Sequence, residues 1–278
     1  MKIRQLWKGI ALGVALGASL LAAGCGSSDT ASSKSAAADA KTYVVATRGT
    51  AKPFSYTDDN GNLTGYDVEI LKEVEKRNPK LHFEFKAMAI DAAFVAMDAN
   101  QVDIIANQMR RNPTREKKYI YTKEVNDYSV RKLAVKKGRT DIQSLDDLKG
   151  KKVVVTTNSE FNELIQNFNK TADPQIEVTY SDKGSAETLN LVATGRVDAA
   201  GEYEYIINTA QKDRNLPVQA VGKTLMVVPT YFLLRKDPEL QKVSDEIDAA
   251  VKSMRDDGTL QKLSEKYLGA DYTVQPKS

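Results

Sequence analysis

From Tyr43 onward, short apolar runs alternate with amphipathic stretches, and their periods predict strands and helices in turn. Tyr43-Val44-Val45-Ala46-Thr47 is a short buried strand. Gly65-Tyr66-Asp67 leads into a helix with Val68, Leu71 and Val74 on one stripe and charges opposite. Leu81-His82-Phe83-Glu84-Phe85 alternates strictly, which predicts a strand with one wet face. His82 falls on its polar side, with no histidine or cysteine partner for a metal, and reads as a surface residue. Asp91 can cap a helix carrying Phe94 and Met97 and ending near Asn100, and the strand Val102-Asp103-Ile104-Ile105 follows.

The same syntax then returns. Lys152-Val153-Val154-Val155-Thr156 repeats the first strand, and Leu189 to Ala200 repeats the helix, short turn, Val-Asp and strand of Val95 to Ala106. Two halves of similar plan are implied, without a recognisable sequence repeat. Alternation of this kind predicts an α/β fold with open, mainly parallel sheets covered by helices. Ligands in such sheets lie beyond the carboxyl ends of the strands. That rule selects four loops, Arg48 to Phe54, Asn107 to Arg115, Thr156 to Phe161 and Gly201 to Tyr205, which line one cleft if the halves face each other.

The N-terminus changes the picture of location and charge. Lys2, Arg4 and Lys8 precede an uncharged run from Ile10 to Ala23, the layout of an export signal and too short for a comfortable bilayer span. Leu21-Ala22-Ala23-Gly24-Cys25 closes it, and Cys25 is the only cysteine. Lipidation of Cys25 is preferred to an ordinary cleavage site, although Ala22 is smaller than the residue usual there. Residues 1–24 are thus a signal peptide, and 25–41, rich in Ser and Ala, a flexible tether. The expected location is extracytoplasmic, on a cell surface of the Gram-positive type, held by a multiply acylated cysteine. Of 40 basic residues three belong to the signal, leaving 37 against 37 acidic ones, so no basic face for nucleic acid is expected.

Several segments in order carry a family resemblance. They are Pro53-Phe54, Asn60 to Ile70, Asp103 to Met109, Arg115 to Lys118, Leu148 to Val153 and Asp257 to Leu260. The mature chain resembles extracellular solute-binding proteins (family 3) of polar amino acid ABC transporters, with Glu75 where the family has a small residue. The resemblance implies a type II periplasmic-binding-protein-like fold, with two lobes joined by two crossing hinge strands. Lobe 1 would be 42–131 plus 230–278 and lobe 2 132–229, with the tail helices packed on lobe 1.

The same resemblance assigns candidate ligand contacts. A carboxylate in a cleft calls for arginine's planar fork, and Arg115 matches the family's carboxylate-binding arginine. Gln108 and Arg110 match positions that touch ligand, Arg110 replacing a threonine. On the opposite wall Thr156 and Ser159, with the Glu160 amide at a helix start, could hold the other edge of the carboxylate, while Asn158 or Ser159 could simply cap the helix. The family's ammonium-binding acid would fall at Tyr203 by strict count, so Glu202 is chosen and Glu204 held in reserve. Asp198 is expected to anchor a strand end. Ile90 stands near the position of a stacking aromatic, leaving Phe54, Tyr56 or Tyr203 as substitutes, and Arg48 stands where a side-chain-reading polar group often sits.

The stretch around Asn107, with Asn112-Pro113 beyond, is similar to cystine-binding members, and Arg48 or Arg110 could meet cystine's second carboxylate. Cystine therefore leads glutamine, glutamate and arginine. The expected partners are that amino acid, a permease with its ATPase, and the membrane through Cys25. A monomer without metal or cofactor is expected. Two other classes remain open. An exported cyclohexadienyl or arogenate dehydratase-like enzyme of this fold could use Glu202, but no nucleophile and base stand beside it. A sensory module would usually continue into a membrane helix, whereas this chain stops at Ser278.

Overall fold

The computed structural model describes residues 40–157 and 159–276; the signal segment, Cys25, most of the tether and Asn158 lie outside the described residues. In the first half, β1 (Lys41–Thr47) leads to a small antiparallel ribbon of β2 (Thr50–Ala51), β3 (Ser55–Thr57) and β4 (Leu63–Thr64). Then come α1 (Tyr66–Arg77), β5 (Leu81–Ala87), α2 (Ile90–Asp98), β6 (Ile104–Met109), α3 (Pro113–Lys118) and β7 (Tyr119–Tyr121). The chain crosses in β8 (Tyr128–Lys136) and continues through β9 (Lys152–Val155), α4 (Glu160–Asn169), β10 (Glu177–Tyr180), α5 (Ser185–Ala193), β11 (Ala199–Tyr203) and α6 (Glu204–Arg214). It returns in β12 (Val218–Pro229) to β13 (Tyr231–Arg235), α7 (Pro238–Asp256) and α8 (Thr259–Leu268).

Two five-stranded sheets result, in the orders β5-β1-β6-β13-β7 and β10-β9-β11-β8-β12. Each has a parallel core and one antiparallel strand, β13 in the first and β8 in the second. Those two strands are the ones that follow a crossing, so each sheet takes its fourth strand from chain that has just left the other. β8 and β12 pair along the crossing from Tyr128↔Pro229 to Lys136↔Val218, with an irregularity between Val221 and Met226.

Both sheets are covered on two faces. The first packs α1, α7 and α8 on one side through Ile70, Leu71, Val74, Ile247, Val251 and Leu260, and α2 on the other through Ala93 and Met97. The second packs Phe161 and Ile165 of α4 on one face, and Leu189, Val192 and Ile207 of α5 and α6 on the other. Caps follow the local sequence. Ser159 Oγ accepts from Asn162 N at 3.1 Å, and Asn112 Oδ1 accepts from Thr114 N and Arg115 N ahead of Pro113. Gly258, at φ 76°, makes the left-handed turn between α7 and α8.

Two local expectations need correction. Asp91 does not cap α2, whose N-cap is Ala89 without a side-chain bond; Asp91 is the second helical residue, in the first turn, where its charge still suits the helix dipole. The strand after α2 starts at Ile104, because Asp103 uses its side chain as a staple. Its Oδ2 accepts from Val44 N at 2.9 Å and its Oδ1 pairs with Arg235 at 3.0 Å. Asp198 does the same in the second sheet, with Lys152 N at 2.8 Å and Arg139 at 2.6 Å. Each Val-Asp pair therefore ties the entry of a parallel strand to its neighbour and to a half-buried arginine.

Replacing Asp103 removes the staple and leaves Arg235 with only its longer contact to Asp237, at 3.4 Å. Asp103→Ala is expected to cost about 2 kcal/mol, as bonds to charged groups do, with the loss read as a lower midpoint in urea unfolding. An unshifted midpoint would show that the staple contributes nothing.

Candidate functional site

At the carboxyl edge of the second sheet a cavity of about 280 Å³ opens between the ends of β9 and β11 and the starts of α4, α5 and α6. Thr156, Ser159, Glu202 and Tyr203 line it, as do Arg131, Thr188 and Tyr205. Its place follows from the parallel strands, whose carboxyl ends meet helix starts with unpaired amides. Gly201 lets one wall close in, since a Cβ there would lie 2.3 Å from the Phe161 ring. Glu202 is buried, and its Oε1 accepts from the backbone N of Tyr203 at 2.8 Å. Tyr203 lies stacked on Tyr205 at 5.7 Å, and Phe54 of the first half meets Tyr205 edge-on at 4.8 Å.

The remaining candidates lie outside the cavity. Arg115 rests over the Phe94 ring at 5.0 Å and beside Tyr121, whose hydroxyl pKa burial raises and Arg115 lowers. Arg110 reaches across instead, pairing with Glu160 of α4 at 2.9 Å. Ile90 packs against the core under α2, Asn107 is half-buried in β6, and Arg48 is exposed. None of these lines the cavity. Glu204, the reserve acid, pairs with Lys132 at 2.8 Å and accepts from the Tyr272 hydroxyl at 3.3 Å.

Gln108 has turned inward. Its backbone takes the left-handed conformation, φ 52°, which costs a non-glycine residue about 1 kcal/mol. Asp67 offsets that cost by accepting from Gln108 N at 3.0 Å and from its Nε2 at 2.7 Å. The same Nε2 donates to Asp127 Oδ2 at 2.9 Å, which also accepts from Thr230 Oγ1 at 2.6 Å. One amide thus joins two buried carboxylates, at the start of α1 and where the chain crosses between sheets. Burial pushes both aspartates above their usual range, and repulsion from Asp127 adds to the rise at Asp67, against the hydrogen bonds that lower them.

Sequence reasoning missed Arg131. The loop rule looked beyond strand ends, whereas Arg131 lies inside β8 and reaches the cavity beside its cross-strand neighbour Tyr203. The available signal was the pair Arg131-Lys132 interrupting an apolar strand. Among the described residues no cluster of three His, Cys, Asp or Glu could hold a metal, and no helix is long and apolar enough to cross a membrane.

Two mixed sheets joined by crossing strands, with a polar cavity at strand ends on the face between them, define the two-lobed ligand-trapping class of α/β receptors. Residues 43–270 match the bacterial extracellular solute-binding proteins, family 3, and the chain belongs to that family, whose members work outside the cytoplasm. The chain is 34% identical to the L-cystine-binding protein TcyJ of Bacillus subtilis, over 91% of this chain and 92% of that protein. Its structure resembles the L-cystine solute receptor of Neisseria gonorrhoeae in its unliganded open conformation, with 28% identity, TM-score 0.71 and coverage of 86% and 98%. It also resembles a structure from work on glutathione import through GshT and the cystine ABC importer TcyBC of Streptococcus mutans, with 28% identity, TM-score 0.67 and coverage of 85% and 98%.

The Asp67–Asp127 pair gives stability a pH dependence. Both carboxyls are raised in the folded state, so their contribution is complete in acid, below the ordinary aspartate value, and is lost as pH rises through the raised values toward neutrality. Asp127→Asn removes one titrating group and one repulsion, and is expected to flatten that decline in thermal midpoint. An unchanged slope between the variant and the parent would assign the titration elsewhere.

Proposed function

We propose that the protein captures a polar amino acid between its lobes, with L-cystine the favoured ligand, and delivers it to an ABC permease and its ATPase without chemical turnover. The observation that carries this reading is the buried Glu202 carboxylate in a small cavity at the strand ends, within a chain of this family. An acid so placed suits a ligand ammonium, and Ser159 with the α4 amides suits a carboxylate edge. Arg115 holds the carboxylate from the facing wall, and Phe54 and Tyr203 supply the rings. The similarity to a cystine-binding protein over nearly the whole chain supports the choice of ligand. Residues 42–131 with 230–278 move against 132–229 as the trap closes. A lipid on Cys25 keeps this monomeric receptor beside its permease.

A ligand specific for the native state raises apparent stability, by about 2.7 kcal/mol at a hundredfold excess over Kd. Thermal shift with ligand-stripped protein is expected to single out L-cystine from cysteine, glutamine, glutamate, arginine and histidine. Arg115→Ala is expected to abolish the shift while leaving the ligand-free midpoint in place. No shift with any amino acid, or turnover of a prephenate-like compound, would sink the reading.

A further inference from the structure

Arg131 is a half-buried cation without a counter-ion. Its guanidinium carbon lies 4.4 Å from the centre of the Tyr203 ring, and Nη1 donates to the Gly201 carbonyl at 3.2 Å. Its Nε is buried without a partner, and among the described residues it forms no ion pair. The acids nearby are engaged elsewhere: Glu204 with Lys132, Glu160 with Arg110, and Glu202 with the Tyr203 amide. Ring and carbonyl hold the fork in place, so little rotamer freedom remains for an incoming anion to quench.

The cations that the sequence offered for a second acidic group do not share this setting. Arg110 is half-exposed and paired, and Arg48 is exposed outside the cavity. Arg131 lines the cavity together with Glu202, which places a cation and an acid within one small space. Arg115, over the Phe94 ring at 5.0 Å in the first half, is the cation that the family resemblance assigns to the other carboxylate.

We infer that Arg131 is the specificity-determining residue that receives the second carboxylate of a ligand bearing an α-amino acid group at each end. This rests on the proposed binding function and names which end of the ligand each arginine takes. One carboxylate goes to Arg115 and the other to Arg131, and a ligand lacking either anion forfeits a bidentate, charge-assisted contact. Selection for two-ended amino acids is then built into the second sheet.

The test compares L-cystine with the mixed disulfide of cysteine and cysteamine, which is cystine less one carboxylate, by calorimetric titration. The parent protein is expected to prefer cystine by about tenfold or more, a difference of about 1.4 kcal/mol. Arg131→Gln is expected to erase that preference while leaving affinity for the mixed disulfide within about twofold. Arg131→Lys, which keeps the charge and loses the fork, is expected to fall between and serves as the readout if the glutamine variant does not fold. Preference retained in the variants, or equal loss of both ligands, overturns the assignment of Arg131. Equal affinity of the parent protein for the two ligands overturns it as well. A parent protein that binds neither disulfide overturns cystine as the ligand, and the assignment of Arg131 with it, while the amino acid panel decides the binding function separately.

Discussion

Two carboxylates buried without a cation would ordinarily destabilise a fold, yet Asp67 and Asp127 sit at the junction on which this structure turns. The Gln108 amide spans them, so the start of α1, the end of β6 and the strand crossing are fixed by one side chain. Asn126 N bonds Thr230 O, and Thr230 N bonds Asp127 O, locking both crossing segments together at the same point. The Tyr66 hydroxyl adds a bond to Asn126 O at 2.6 Å. Position matters more than energy here. Gln108 Oε1 and the Asn126 side chain are buried without partners, yet the directional bonds that are made fix one arrangement where an apolar core would tolerate several.

Much of the fold was legible because its elements announce themselves by period. The parallel strands, α1, α4 and the tail helices all follow from apolar runs or 3.6-residue stripes. The relation between halves was legible too, and the two Val-Asp staples explain why. Asp103 and Asp198 do equivalent work on equivalent strands, so the sequence echoes itself where the geometry repeats. What period alone could not show was the exchange of β8 and β13 between sheets, which only the family resemblance implied. Pairing between strands so distant along the chain leaves no local signal, and Asp91 shows that even a good capping residue can lie two positions past the cap.

The site was legible in outline and less so in detail. The rule of strand ends selected loops that do supply Thr156, Ser159, Glu202 and Tyr203 to one cavity. It failed for side chains whose direction is set by partners from elsewhere. Gln108 lies in a selected loop but points into the buried network, since Asp67 and Asp127 offer it acceptors that solvent cannot match. Arg131 lies in no loop and reaches the cavity through its ladder with Tyr203, a neighbour 72 positions along the chain by number. Direction, unlike residence, is a tertiary property.

Contacts across the cleft decide what a ligand must do. Arg110 and Glu160 are each nearly half exposed, and Lys52 and Asp213 are similarly open, so each pair contributes about 1 kcal/mol or less. The Phe54–Tyr205 edge contact adds about the same again. Such contacts hold two lobes together weakly, which leaves closure within reach of a small molecule's binding energy. A ligand touching one wall alone binds open and closed forms equally and shifts nothing. Only groups answered from both sides favour the closed form, and on the proposed reading Arg115 from the first half and Arg131 with Glu202 from the second meet that condition. On that reading, recognition of both ends of the ligand and closure of the trap are the same event.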